Sequence, residues 1–277
     1  MKRISLFLSA ALAALSLTSC LQNETTIHLN KDGSGTLVEE TTLGAQMMAM
    51  MEQMSSFGGA AGGAKKDPLA DMFSEEKAKA KAAKLGEGVT LEKNEAIEKN
   101  GNKGARATYH FADINKLKVT TSEGMKDMSP MGGMGAEAPA AKPAKPINFK
   151  YADGNLTITM PEPDKTEAAP DAPKPGAEEK EAPGEQDLVM MKQMMGDMKM
   201  SLKLVVEPGI AETDATFRDG NTVTLMEMDM GKLMENPEFV KNLGKVDQRD
   251  PAAAMEMMKK IPGIKAEVKK EITVKVQ

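Results

Sequence analysis

The stretch Thr25-Thr26-Ile27-His28-Leu29-Asn30-Lys31-Asp32-Gly33-Ser34-Gly35-Thr36-Leu37-Val38 places two β-prone runs on either side of an Asp-Gly turn. Residues alternate polar and apolar before the turn, and β-branched residues resume after it. Glycine takes a positive φ without steric cost, so Asp32-Gly33 reads as the reversal of a β-hairpin. The alternation puts Ile27 and Leu29 on one face, toward a core. The second run continues through Glu39-Glu40-Thr41-Thr42-Leu43.

The same grammar recurs along the chain. Asp153-Gly154 separates Ile147–Tyr151 from Leu156–Met160, and Asp219-Gly220 separates Ile210–Phe217 from Thr222–Met228. A strand over Val89–Glu98, the turn Asn100–Gly104 and a return strand bearing Ala105, Ala107, Tyr109 and Phe111 make a further hairpin. His28 and His110 each fall opposite their apolar neighbours. A short strand is expected at 119–121. Met200, Leu202, Leu204 and Val206 line one face of another strand, and Ile264–Val276 reads as a closing strand. The intervals between Asp-Gly turns follow no fixed period, which excludes a solenoid.

Between the strands lie helical patterns rich in methionine. Gly44–Phe57 carries Met47, Met48, Met50, Met51 and Met54 on a broad apolar face. Asp67-Pro68 opens a short stripe of Leu69, Met72 and Phe73, and Ser74-Glu75-Glu76 opens an Ala/Lys-rich helix ended by Gly86. Asp187–Met198, Asp229–Glu235 and two Pro-started helices after Asn236 and Asp250 follow. Residues 122–146 and 161–186 are rich in Gly, Pro and Ala or in Pro, Ala, Glu and Lys. They bury too little to offset ordering entropy and read as disordered inserts. The fold class is α+β: an antiparallel sheet built from hairpins, packed against several Met-rich helices, with two disordered inserts. Its first part is 20–121, its inserted hairpin 147–160 and its second part 187–277.

Residues 1–19 have the anatomy of an export signal: Lys2-Arg3, an apolar run through Leu15, then small residues. The run is too short to span a bilayer, which takes about 20 apolar residues. Leu17-Thr18-Ser19-Cys20 resembles the lipobox of bacterial lipoproteins, and Cys20 is the single cysteine in 277 residues. That resemblance implies diacylation of the Cys20 sulfur, cleavage before it and acylation of the new amino group. It also implies a membrane-held mature protein. Leu21 after the cysteine, in place of Asp, favours the periplasmic face of the outer membrane if the host has two membranes. The first hairpin begins within a few residues of Cys20, so the domain should lie close to the lipid surface.

Loss of Lys2 and Arg3 with the signal takes the formal charge from -5 to -7. That balance argues against nucleic acid as a partner. Aromatic residues are 3% of the chain, with no Trp, too few for base-stacking platforms. With only two histidines and no convergent spacing, a zinc site is not indicated. No Gly-x-Ser-x-Gly elbow and no phosphate-loop pattern occurs, so the domain reads as non-enzymatic and without a cofactor. Met125, Met128, Met131 and Met134 recur at every third residue outside any core pattern. Soft thioethers select Cu(I), which makes a periplasmic Cu(I)-binding lipoprotein the alternative reading.

The opening Thr26–Thr36 after a lipobox, with the later Leu202–Ala215 and Gly220–Leu225, is similar to the LppM-type lipoprotein domain. That resemblance implies an exported α+β domain at the cell envelope. The chain departs from the pattern in its inserts, its 25 methionines and its lack of a C-terminal membrane helix. The functional expectation is a membrane-anchored envelope lipoprotein whose non-catalytic domain binds a lipid or a protein partner at the membrane surface.

Overall fold

The computed structural model describes residues 21–58, 68–120, 145–161, 192, 196, 198–242 and 262–277. Cys20, the export signal, the helix expected at 250–261 and nearly all of the one at 187–198 lie outside them. So do both inserts, apart from 145–146 and 161.

Strands β1 (Leu21–Leu29) and β2 (Gly35–Leu43) form the expected hairpin, in register from Leu21 opposite Leu43 to Leu29 opposite Gly35. Gly33 adopts φ 86°. The Asp32 carboxylate accepts the backbone N–H and the hydroxyl of Ser34 at 3.0 and 2.6 Å. Gly35 is required for contact, not conformation. A Cβ there would stand 1.9 Å from the His28 carbonyl oxygen and 2.7 Å from the Phe111 ring.

Strands β3 (Thr90–Lys99) and β4 (Asn102–Phe111) reverse at Asn100-Gly101, both at positive φ, and β4 pairs with β2. β5 (Asn148–Ala152) and β6 (Asn155–Thr159) reverse likewise at Asp153-Gly154. Two positive φ values suit the right-handed strand twist across a two-residue loop. β7 (Lys199–Val206), β8 (Ile210–Thr213), β9 (Arg218–Asp219), β10 (Thr222–Asp229), β11 (Ile264–Ala266) and β12 (Glu271–Val276) complete the set.

The strands form two sheets. The long one runs β11-β10-β7-β1-β2-β4-β3, with β9 on β10, and the short one runs β5-β6-β12-β8. β1 and β7 pair in parallel, Gln22 with Lys199 through Leu29 with Val206. The other pairs among the described residues are antiparallel. Helices are few: α1 (Ala45–Gly58), α2 (Pro68–Met72), α3 (Glu75–Leu85), α4 (Met230–Glu235) and α5 (Pro237–Asn242). Ser74 caps α3 by accepting the Lys77 N–H, and Asn236 caps α5 by accepting that of Phe239. The class is α+β.

One contiguous apolar cluster joins the two sheets. Ile27, Leu37, Tyr109, Phe111, Leu204 and Val223 of the long sheet meet Phe149, Leu156, Ile158, Ile272 and Val274 of the short one. Ala82 and Leu85 of α3 enter the same cluster. The main cover of the long sheet is therefore the short sheet plus the Ala/Lys-rich helix. Of the two described Met-rich helices, α4 builds a second cluster with Met230, Leu233 and Met234 against Met228 of β10 and Ile264 of β11, while Met47, Met48 and Met51 of α1 are in neither cluster. Branched Ile and Val on a pleated surface fit another strand layer closely, and that layer takes the place expected for helices.

Three local expectations need correction. Ile210–Phe217 is not one arm of a hairpin with Thr222–Met228. Its first half, β8, pairs with β12 in the short sheet, and only Arg218–Asp219 pairs with β10. Ile264–Val276 is likewise two strands, β11 in the long sheet and β12 in the short one. At 119–121 there is no full strand among the described residues, only a bridge from Val119 to Ile147.

The cause of both breaks is a polar clamp where the chain changes sheets. Buried Glu267 accepts the Thr216 N–H at 2.7 Å, the Thr216 hydroxyl at 2.9 Å, and the N–H groups of Val268 and Lys269. Asp214 accepts the N–H and hydroxyl of Thr273 at 2.7 and 3.1 Å. These bonds replace ladder bonds that a continuous strand would make.

Candidate functional site

The long strands share two ends, and the chain enters at one of them. Leu21, the residue after Cys20, is the first residue of β1 and 2% exposed. Across this end, Gln22 stands between Thr42 of β2 and Lys199 of β7, and Lys199 pairs with Asp229 of β10. Leu43 faces Leu21, and α1 starts two residues later. Asp229 ends β10 and caps α4 by accepting the Lys232 N–H at 3.2 Å. Both described Met-rich helices therefore begin at the end where β1 begins.

The two helices differ in packing. In α4, Met230, Leu233 and Met234 are buried, with Met198, Met228, Phe239 and Ile264 packed against them. In α1, Met47, Met48 and Met51 are half-buried. Several charges near this end are paired, while Lys103, in register with Leu43, is exposed. Glu40 bonds Lys99 and the Arg106 guanidinium, the latter at 2.5 Å. Burial works against ionisation of Glu40, but those bonds outweigh it and hold its carboxyl below the usual range. Lys199 and Lys232 approach the Asp229 carboxylate at 3.4 and 3.9 Å.

A small cleft opens on the inner face of the long sheet, beside α3. Asn23, Thr25, Thr120 and Met226 line it together with the Lys81–Glu39 ion pair at 2.6 Å. The Thr120 hydroxyl is buried without a hydrogen-bond partner among the described residues. The enclosed space is about 30 Å³, where one water needs roughly 10–15 Å³. That is room for one or two waters and not for an acyl chain.

His28 and His110 lie on the outer face of the long sheet, each opposite Thr36 in its strand pair. His28 Nδ1 is 2.7 Å from a Glu207 carboxylate oxygen, and His110 is exposed. The two do not converge on a shared ligand set. Among the described residues no three or more His, Cys, Asp or Glu side chains gather as a metal site would need. Met125, Met128, Met131 and Met134 lie outside the described residues, as does Cys20. No described helix is long and apolar enough to cross a membrane.

Sequence reasoning missed Asn115 and Tyr151 as well as the Glu267 clamp. Asn115 accepts the Tyr151 N–H at 2.7 Å and donates to its carbonyl, closing the edge of β5 as a neighbouring strand would. The Tyr151 hydroxyl donates to the Lys31 carbonyl at 2.6 Å and ties the short sheet to the first turn. No local pattern marks either residue, because each acts on a segment far away in the chain.

No protein-family model matches the chain, and no curated protein matches it. Among solved structures, it is similar to the folded domain of LppM from Mycobacterium tuberculosis. The two share 9% identity over 77% of this chain and 85% of that one, with a TM-score of 0.30. At 9% identity and this TM-score the likeness carries no argument about function. It assigns no role to any residue.

Proposed function

We propose that this protein is a lipoprotein of the cell envelope, held by acyl chains on Cys20, with a non-catalytic domain that meets a lipid or protein partner at the membrane surface. One observation carries the reading. The residue after the lipobox cysteine is already a buried, paired strand residue. No tether separates anchor from domain, so an acylated Cys20 holds the sheet end at the bilayer. One acyl chain gives marginal, reversible binding and two or more hold stably. In a host with two membranes, the periplasmic face of the outer membrane is the proposed location.

The small cleft supports recognition through surfaces in place of an enclosed ligand chamber. The outer face of the long sheet offers half-buried Thr26, Val38 and Thr108 in one row, beside the pairs Lys203–Glu24 and Arg106–Glu40. The test is mass spectrometry of the mature N-terminal peptide with fractionation of Cys20→Ala. The expected result is a triacylated Cys20 and loss of membrane partition in the variant. A Cys20→Ala protein that still pellets fully with membranes would end the anchor reading.

A further inference from the structure

Resting on that reading of Cys20, we propose that α1 is a second membrane contact, lying in the bilayer interface beside the anchor with Met47, Met48 and Met51 against the lipid. The argument begins with position. Consecutive Cα atoms are about 3.8 Å apart, so acyl chains on Cys20 attach within one residue of Leu21. Leu43 is directly paired with Leu21, and such antiparallel partners are about 4.5–5.5 Å apart. α1 begins at Ala45. Its first turn is therefore at the level where the anchor enters the membrane.

Composition and faces agree with that placement. The helix Ala45–Gly58 reads AQMMAMMEQMSSFG, with Glu52 as its one formal charge. At 100° per residue, Met47, Met48 and Met51 fall within one arc of about 100°, exposed Ala45, Gln46, Ala49 and Gln53 fall on the opposite side, and exposed Glu52 lies at the edge of the arc, about 40° from Met48. The three methionines are half-buried and belong to neither apolar cluster, whereas Met230 and Met234 of α4 are buried in theirs. Methionine is flexible and polarisable, and it suits a fluid, irregular surface better than branched residues would. Lys99, Lys199 and Lys232 at this end are engaged by Glu40 and Asp229, and exposed Lys103 stands beside Leu43, so the contact is chiefly apolar with one cation at its rim.

The experiment uses the full lipidated chain in vesicles of neutral phosphatidylcholine. With Cys20 acylated, Met48→Cys supplies a single reactive thiol for a fluorescent or spin label. Lys31→Cys supplies the control, exposed in the turn at the far end of β1, roughly 30 Å away at about 3.3 Å per strand residue. The expected result is several-fold greater quenching of the label at 48 by a lipid-soluble quencher than at 31, with the reverse order for a water-soluble one. The difference should persist from about 0.1 M to about 1 M salt, where screening shortens from about 10 to 3 Å. A label at 48 as open to water as that at 31, or shielded from both quenchers, would overturn the proposal. If Met48→Cys does not fold, Met51→Cys repeats the measurement. Mass spectrometry of the same sample separates the two readings. Acylated Cys20 with a water-exposed label sinks only the helix contact, while unacylated Cys20 sinks both.

Discussion

The two ends of the long strands are made of different materials. At the end away from Cys20, turns are stitched to one another by directional bonds. The Ile114 N–H donates to the Gly33 carbonyl at 2.9 Å, the Glu207 N–H to that of Leu29 at 2.9 Å, and the Gln277 N–H to that of Gly209 at 3.0 Å. Tyr151 and Asn115 add side-chain ties. At the Cys20 end, ion pairs at Glu40 and Asp229 and the backbone bonds of Asp229 and Met230 are joined by an apolar cluster that uses Met230 and Met234. Directional bonds specify one geometry, whereas thioether packing tolerates rearrangement.

The largest expected effect comes from the shared core. Leu204→Ala, at a fully buried position between the sheets, should cost about 2–5 kcal/mol by denaturant unfolding. The Met47, Met48 and Met51 triple change to Gln should leave each site within about 0.5 kcal/mol of neutral. If the triple variant unfolds as readily as Leu204→Ala, α1 belongs to the core and the contrast between the ends collapses.

Gly35→Ala should come next, at about 1–3 kcal/mol, because its new Cβ meets the His28 carbonyl and the Phe111 ring. Gly88→Ala isolates the other cause: its φ is 80° and a Cβ there would meet nothing within 4 Å, so any loss of stability comes from backbone strain and not from contact. Glu267→Gln should cost about 1–3 kcal/mol, since an amide cannot accept from all the donors that the buried carboxylate serves. Hydrogen exchange should quicken first at 214–218 and 266–271 if the sheet crossings loosen together.

The smallest effect is on pH dependence. The backbone N–H of Thr273 is the main cause of a lowered Asp214 pKa, helped by the Thr273 hydroxyl and the Lys269 ammonium, while partial burial opposes them. A depressed carboxylate stabilises the fold above its ordinary value of 3.8 and loses that contribution as pH falls through the folded value. Asp214→Asn should therefore lower stability near neutrality and flatten the acid limb of a stability–pH curve. An unchanged acid limb would place the acid sensitivity elsewhere, with Glu40 the next carboxylate to replace.

Much of the fold was legible before any coordinates. Gly33, Gly101, Gly154 and Gly220 mark turns, and the alternations at 27–29, 105–111 and 200–206 name buried residues correctly. Asn236 is read as a cap and acts as one, Ser74 opens its helix as read, and Asp229, read as the first helical residue, is a cap. The failures cluster at 210–217 and 264–276, where a run that looks continuous is divided between sheets. Alternation has the same period in either sheet, so it cannot say where a strand changes partner. The cleft pair Lys81–Glu39 was equally invisible, because its members are 42 residues apart.

The sequence by itself determined the local grammar: hairpin turns, strand faces and helix caps. These depend on φ preferences, side-chain period and capping chemistry, all of which act within a few residues. Only the tertiary structure decided the parallel pairing of β1 with β7, the two crossings between sheets and the location of the methionines. An apolar stripe reports that it will be buried, not against what. Met47, Met48 and Met51 are outside the cluster between the sheets because the short sheet and α3 cover that face.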